Sequence, residues 1–232
     1  AGAFANNGSG VRGDLKAVFA AVLLDDEARN PATAAQSGFG KLREPILRFV
    51  QWGRTFGIAS TLGSWKIGDL GNPATQLGQS PLRPPSVFNY FRPGYVPPST
   101  ELVANRSVAP EFQIVNESSV GGYLNFLQGV VRNGLYVGAP DQPNAGSNAS
   151  NGYDITAAYA AELALVTDAV ALVKRLALLL CADQLSASTQ TLIVEALNAT
   201  PVTAASTDAV KRNRVAAAVL MVMASAEYLV QK

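Results

Sequence analysis

The sequence predicts an all-α protein, an irregular multi-helix bundle of six to eight helices with one long ordered loop. Three observations lead to this prediction. Apolar residues recur at helical spacing in several segments, and no segment shows the alternation of a half-buried strand. Residues 78–100, GQSPLRPPSVFNYFRPGYVPPST, contain six of the thirteen prolines. That density of proline excludes a helix interior or a central strand from this segment.

The composition narrows the classes of function. The net charge of +1 over 232 residues argues against a nucleic-acid binder that works through bulk charge. The chain has no histidine, which removes the commonest general base and the commonest metal ligand. One cysteine, Cys181, allows neither an internal disulfide nor a thiolate zinc site, and its apolar surroundings predict a buried thiol. We therefore expect no cofactor.

The first predicted helix begins after Asp14, a suitable N-cap, and is followed by an acidic run. Its apolar positions share one face: Leu15, Val18, Phe19, Val22 and Leu23. The acidic run Asp25, Asp26 and Glu27 lies at the C-terminal end, where negative charge opposes the helix macrodipole. It is either a solvated helix end or a weak candidate for a cation site, although the spacing of an EF-hand loop is missing.

A second helix is predicted from Pro45, a residue suited to the first turn. The apolar face is assigned to Ile46, Phe49, Val50 and Phe56, and the polar face to Arg43, Arg48, Gln51 and Arg54. Together with Lys41, the arginines form a basic cluster. This cluster is either a solvated face or a site for an anionic ligand or partner. Residues 57–77 are rich in turn residues and predict irregular structure.

The proline-rich loop at 78–100 carries large side chains that would be costly to leave in water. They define a candidate interaction site: Arg83, Phe88, Tyr90, Phe91, Arg92 and Tyr95. Two interpretations remain open. If the rings pack within their own domain, truncating Phe88 or Phe91 to alanine costs about 3–5 kcal/mol of stability. If they contact a partner, the fold survives the truncation and association is lost.

After the loop, Asn116 or Ser118 caps a helix that runs to Asn133 and Gly134. The pair Gly121 and Gly122 inside it indicates that another backbone packs closely there. Residues 138–152 are small and polar and predict a linker. The predicted organisation is therefore a helical region at 1–137 that includes the loop, a linker at 138–152, and a helical bundle at 153–232 packed on the first region.

The final 80 residues predict only helices. The apolar run 157–182 contains Glu162, Asp168, Lys174 and Arg175, which favours a core helix broken into two over a transmembrane segment. A short helix around residues 192–197 stops at 198–201, and the last helix begins at Thr207 or Asp208.

Motifs of known enzymes are missing from the sequence. There is no nucleophile elbow and no phosphate-binding loop. Ser9 and Ser64 lie in predicted turns, and without histidine a serine would need a lysine or carboxylate base. Paired carboxylates for hydrolysis remain open among seven acidic residues, with no spacing that selects a pair. These residues are Asp14, Asp25, Asp26, Glu44, Asp69, Glu111 and Glu117.

Five segments of the chain can be recognised together, namely residues 10–29, 40–52, 80–98, 109–127 and 214–232. In this order they resemble the C-terminal half of a bacterial family of uncharacterised proteins, the domain of unknown function 1800 (DUF1800). The resemblance implies a mostly helical protein of a family whose members are roughly twice this length and typically exported. It therefore implies a periplasmic or extracellular location, and the missing N-terminal half of the same protein as a partner. It supplies no catalytic residues.

The sequence thus predicts a structural or interaction component that contributes to a multi-chain assembly. Its partners would be the missing N-terminal half, another protein chain or a second copy, with no nucleic acid and no transmembrane segment. A hydrolase that acts on a cell-surface polymer through paired carboxylates is the alternative.

Overall fold

The computed structural model describes residues 1–36, 38–61, 63–136 and 152–232. They form two compact units, Ala1–Lys41 with Lys232, and Leu42–Gln231. All fully buried side chains among the described residues belong to the second, larger unit. The protein is mostly helical, as expected, but it also contains short strands.

The smaller unit consists of four short helices. They are α1 (Gly2–Ala5), α2 (Leu15–Leu23), α3 (Asp26–Arg29) and α4 (Pro31–Ala34). Asp14 caps α2 as predicted, since its carboxylate accepts hydrogen bonds from the backbone N–H groups of Lys16 and Ala17 at 3.0 and 3.3 Å. The Asn7 amide donates to the other carboxylate oxygen at 2.8 Å. That bond and those from the backbone hold the pKa of Asp14 below its usual range.

The larger unit contains the remaining elements. The strand β1 (Lys41–Leu42) includes the last residue of the segment Ala1–Lys41 and the first residue of the larger unit. The elements that follow are α5 (Pro45–Thr55), β2 (Ala59–Ser60), α6 (Glu101–Ala104), the 3-10 turn η1 (Pro110–Gln113), α7 (Glu117–Asn133), β3 (Leu135–Tyr136), β4 (Tyr153–Thr156), α8 (Ala160–Leu163), α9 (Ala169–Cys181), α10 (Ala187–Asn198), α11 (Asp208–Ala224), α12 (Ala226–Leu229) and β5 (Val230–Gln231).

Helix α11 occupies the centre of this unit, where it packs against α7, α9 and α10. Val215, Val219 and Val222 on α11 are completely buried, as are Leu172 and Leu176 on α9. The predicted break in the apolar run 157–182 is confirmed, because α8 ends at Leu163 and α9 begins at Ala169. This run therefore supplies the core of the larger unit. No helix in the described part of the chain has the length and apolar character needed to cross a bilayer.

A three-stranded antiparallel sheet in the order β2–β4–β3 corrects the all-α prediction. Ile155, at the centre of β4, lies opposite Ser60 on β2 and Leu135 on β3. Two of these strands have two residues and the third has four, so none is long enough to show a reliable alternation in sequence. The prediction of no strands was wrong for this reason.

Three buried tyrosines connect elements that are distant in sequence. The phenol of Tyr159 accepts a hydrogen bond from Trp52 Nε1 at 2.7 Å and donates to the carbonyl of Val131 at 3.0 Å. Tyr123 donates to the carbonyl of Met223 at 3.2 Å, and Tyr228 donates to that of Arg48 at 3.0 Å. These bonds give each buried phenol a partner and link α5, α7, α11 and α12.

The predicted domain organisation remains a prediction. Residues 138–151 of the predicted linker lie outside the described residues. The strands β2 and β3 precede this segment, and both pair with β4, which follows it.

Candidate interaction surface

Helix α2 carries an unusually exposed apolar face. Of its large apolar side chains, four are 61–67% exposed: Leu15, Phe19, Val22 and Leu23. Leu24, which follows the helix, is 59% exposed. No residue of α2 is buried. The spacing that predicted a helix is thus confirmed, but the apolar face that normally enters a core lies in solvent. We call this face, formed by Leu15, Phe19, Val22 and Leu23, the α2 face.

The proline-rich loop at 78–100 is irregular, as predicted, and hydrogen bonds hold its ends. The Gln79 side chain donates to the Glu44 carboxylate at 2.5 Å. Within the loop, the phenol of Tyr90 donates to the Ser80 carbonyl. Farther along, the backbone N–H of Ala109 donates to the carbonyl of Tyr95 at 2.8 Å. The loop is therefore anchored to the larger unit at several points.

Three apolar side chains project from this anchored loop. Leu82 is 98% exposed, Val87 is 95% exposed and Phe88 is 67% exposed. Leu82 also has a φ of +60°, a left-handed conformation that is uncommon for a residue with a branched side chain. These three residues are called the loop ridge below.

The structure divides the predicted interaction residues into two groups. Phe88 is exposed, whereas Tyr90, Phe91 and Tyr95 are half-buried. Arg83 is exposed and forms an ion pair with Asp69 at 2.9 Å. Arg92 is exposed, and its backbone N–H donates to the Gln113 side chain at 2.8 Å. The six residues thus differ in exposure, and the interaction site that they define stays a prediction.

The predicted basic cluster is solvated only in part, because Lys41 and Arg54 are exposed whereas Arg48 is only 2% exposed. Its guanidinium carbon lies 4.9 Å from the centre of the Tyr123 ring, and that of Arg43 lies 4.9 Å from the centre of the Tyr228 ring. Arg48 Nε also donates to the Arg43 carbonyl at 2.9 Å. Burial lowers the pKa of Arg48. For Arg43 and Arg48, contact with tyrosine rings thus replaces the expected contact with solvent.

The acidic run after α2 also differs from the prediction. Asp25 caps α3 by accepting from the backbone N–H of Glu27 at 3.0 Å, and Asp26 and Glu27 lie in the first turn of α3. The run therefore begins a new helix, where negative charge complements the macrodipole instead of opposing it. Among the described residues, no three or more His, Cys, Asp or Glu side chains lie together in a way that could hold a metal ion.

Other candidate carboxylates have structural partners. Asp14 caps α2, Glu44 accepts from Gln79, and Asp69 is paired with Arg83. The hydrogen bond from the backbone N–H of Gly71 is the main cause that holds the pKa of Asp69 below its usual range, and the nearby Arg83 lowers this pKa further.

A buried polar cluster around Asp154 was missed by the sequence analysis. The Asp154 side chain is completely buried, and its Oδ2 atom accepts from the hydroxyls of Ser60 and Ser64 at 2.6 and 2.8 Å. The Asp154 carbonyl accepts from the backbone N–H of Thr61 at 3.1 Å. The cluster fastens the turn after β2 to β4. The sequence did not predict this cluster, because Asp154 lies in a strand of only four residues that shows no recognisable pattern.

Comparison with known proteins adds a family to this description. No curated protein and no solved structure matches the chain. The family model described as Protein of unknown function (DUF1800) matches residues 1–230. Given this match over essentially its whole length, the chain belongs to the DUF1800 family.

Proposed function

We propose that this protein is a structural or interaction component of a larger assembly, in which another polypeptide covers the α2 face. The observation that carries the proposal is the exposure of four large apolar side chains on a helix of nine residues. Contiguous apolar surface of this kind on a soluble protein marks an interaction site.

The energetics of α2 support the same proposal. A helix of nine residues is marginal in water by itself, and most helical stability comes from packing of an apolar face. Fully burying one Leu, Val or Phe side chain contributes about 1.5–3 kcal/mol. Covering the α2 face would therefore supply the stabilisation that the smaller unit lacks, since none of its described residues is buried.

The loop ridge is the second contact surface in this proposal. Leu82, Val87 and Phe88 are held outward on an anchored loop, so their ordering on binding costs little conformational entropy.

The proposed partner is a polypeptide, either the N-terminal half implied by the family resemblance, another chain, or a second copy. A periplasmic or extracellular location is part of the same proposal. The net charge of +1 supports a protein partner over nucleic acid.

The test compares Leu15→Ser with Leu178→Ser. The two leucines have the same exposure, 61%, but Leu178 lies on α9. The tagged chain would be isolated from its native source, and the mass of each purified complex measured by light scattering. We expect Leu15→Ser to reduce the bound partner or the self-association while Leu178→Ser does not.

Circular dichroism melts of both variants would show that each remains folded. A wild-type chain that is monomeric and brings down no partner would contradict the proposal. Equal retention of the partner by both variants would also contradict it.

A further inference from the structure

A cleft of about 430 Å³ lies in the larger unit between the C-terminal part of α10, the segment that follows it, and the side of α11 from Val210 to Met221. This volume is within the range of small-molecule sites, roughly 300–1,000 Å³. Most of its lining is apolar, contributed by Ala196, Leu197, Val202, Val210, Ala217 and Met221. The cleft is thus shaped and lined for an apolar group.

A second cleft of about 200 Å³ adjoins the first, since both are lined by Asn213 and Ala217 on α11. This second cleft extends to α7, where Gln128 and Arg132 line it. The described residues that line the two clefts include two arginines and no Asp or Glu. The pair of clefts therefore combines an apolar half with a polar, positively charged half.

Arg214 places a buried positive charge beside the apolar half. The residue is 7% exposed. Its Nη1 atom donates to the carbonyls of Leu197 and Thr200 at 2.5 and 3.0 Å, and Nη2 donates to the Asn198 side chain at 3.1 Å. These acceptors are neutral, and the Nε atom has no hydrogen-bond partner among the described residues. No carboxylate of the described residues forms an ion pair with this charge, which acts at reduced dielectric.

Arg132 provides a second, accessible guanidinium. It lies in the last turn of α7, is exposed, and forms no ion pair with any described residue. A guanidinium recognises a carboxylate through two parallel N–H···O bonds. Arg132 is therefore suited to hold an anionic group at the open end of the second cleft.

We propose that the two clefts together bind a small amphiphile, a molecule with an apolar body and a carboxylate. The apolar body packs against Leu197, Val202 and Met221. The carboxylate extends past Asn213 and pairs with Arg132. The charge of Arg214 adds attraction for the anion. This site is separate from the α2 face, which lies in the smaller unit, so the two proposals can fail independently.

The experiment titrates the full chain with decanoate by isothermal calorimetry. We expect saturable binding of one decanoate per chain. Arg132→Gln should weaken this binding at least about threefold, because it removes one exposed charge-assisted contact. Arg54→Gln is the matched control, since Arg54 is also exposed in the last turn of its helix, and its affinity should equal that of the wild type.

Two further measurements locate the site and test its charge preference. Ala217→Trp places an indole at the residue shared by both clefts and should abolish binding. Decyltrimethylammonium, which replaces the carboxylate by a cation, should not compete with decanoate. The proposal is overturned if decanoate shows no saturable binding, if the cation competes equally, or if Arg132→Gln binds as tightly as Arg54→Gln.

Discussion

Among single residues, two neighbouring glycines on α7 differ in whether the structure leaves room for a side chain. A Cβ atom at Gly122 would lie 2.2 Å from the carbonyl oxygen of Pro73 and 2.7 Å from the carbonyl carbon of Ala74. A Cβ atom at Gly121 would meet nothing within 4 Å. The close backbone approach that the glycine pair predicted is therefore confirmed, and Gly122 is the residue that permits it.

We predict that Gly122→Ala lowers the free energy of unfolding by about 1–3 kcal/mol or more, because backbone atoms on the opposing turn must move. Gly121→Ala should be neutral or stabilise by up to about 1 kcal/mol, since alanine favours the helix. Urea denaturation of both variants measures the difference. Equal stability of the two would show that the turn at Pro73 does not press on α7.

Cys181 and Tyr123 make the stability sensitive to alkaline pH. Burial raises the pKa of Cys181 from 9.0 to about 11 and that of Tyr123 from 10.0 to about 12. At a pH between the ordinary and the raised pKa of each group, the folded protein keeps a proton that the unfolded chain has released. The free energy of unfolding should therefore begin to fall near pH 9 and continue to fall as the pH rises towards 12.

Thermal unfolding between pH 8 and pH 11, which is about the range of the Cys181 titration, measures this slope. The Cys181→Ala variant should show a shallower decline from pH 9 upwards, whatever its stability at neutral pH. A decline as steep as that of the wild type would remove Cys181 as its source.

At the scale of elements, α5 shows what apolar spacing can and cannot predict. Helix α5 begins at Pro45, as expected. Its buried stripe, however, consists of Pro45, Arg48, Phe49, Trp52 and Gly53. These positions have ideal helical spacing, but the arginine was assigned to solvent by its charge. The rings of Tyr123 and Tyr228, which accommodate the two arginines, come from distant parts of the chain and could not be inferred locally.

The long helices were predicted from local sequence, but the described residues form twelve helices and not the expected six to eight, because the four-residue helices α1, α3, α4, α6 and α12 are too short to show apolar spacing. Asn116 caps α7 and Thr207 caps α11, as predicted, and Ser186 caps α10, each through its side-chain oxygen. The spacing on α2 predicted its helix but not its exposure, because periodicity is the same whether an apolar face meets its own core or another polypeptide. That ambiguity is why the sequence favoured the loop over α2 as an interaction site.

For the loop at 78–100 we predict different outcomes for its two phenylalanines. Phe88→Ala should change the free energy of unfolding by less than about 0.5 kcal/mol, because Phe88 is mostly exposed. Phe91→Ala should cost about 1–2 kcal/mol, since Phe91 is half-buried. Urea titrations measure both values.

Phe88→Ala should nevertheless weaken association with the proposed partner, and this distinguishes a contact residue from a structural one. If Phe88→Ala instead lowers the free energy of unfolding by several kcal/mol, Phe88 packs within its own domain and is not a contact residue.

In the molecule as a whole, the two units differ in how deeply their residues are buried. In the larger unit, α11 is surrounded by α7, α9 and α10, and Val215, Val219 and Val222 are completely buried. In the smaller unit, no described residue is buried. The larger unit should therefore account for the cooperative unfolding of the chain.

We predict that native-state hydrogen exchange of the isolated chain is fast throughout α2 and slow in α11. The expected protection in α11 approaches that of global unfolding, because its amides open only with the core. Mass spectrometry of exchanged peptides measures both helices in one experiment. Slow exchange in α2 of a monomeric chain would show that α2 needs no partner and would weaken the proposed function.

Trp52, which donates a hydrogen bond to Tyr159 inside the core, differs from Trp65 in its exposure to solvent. Trp52 is completely buried, whereas Trp65, the other of the two tryptophans, is 56% exposed. The intrinsic fluorescence of the protein therefore comes from two emitters in opposite environments. Iodide should quench Trp65 selectively, and the light that remains should come from an indole whose surroundings change only when the core itself opens.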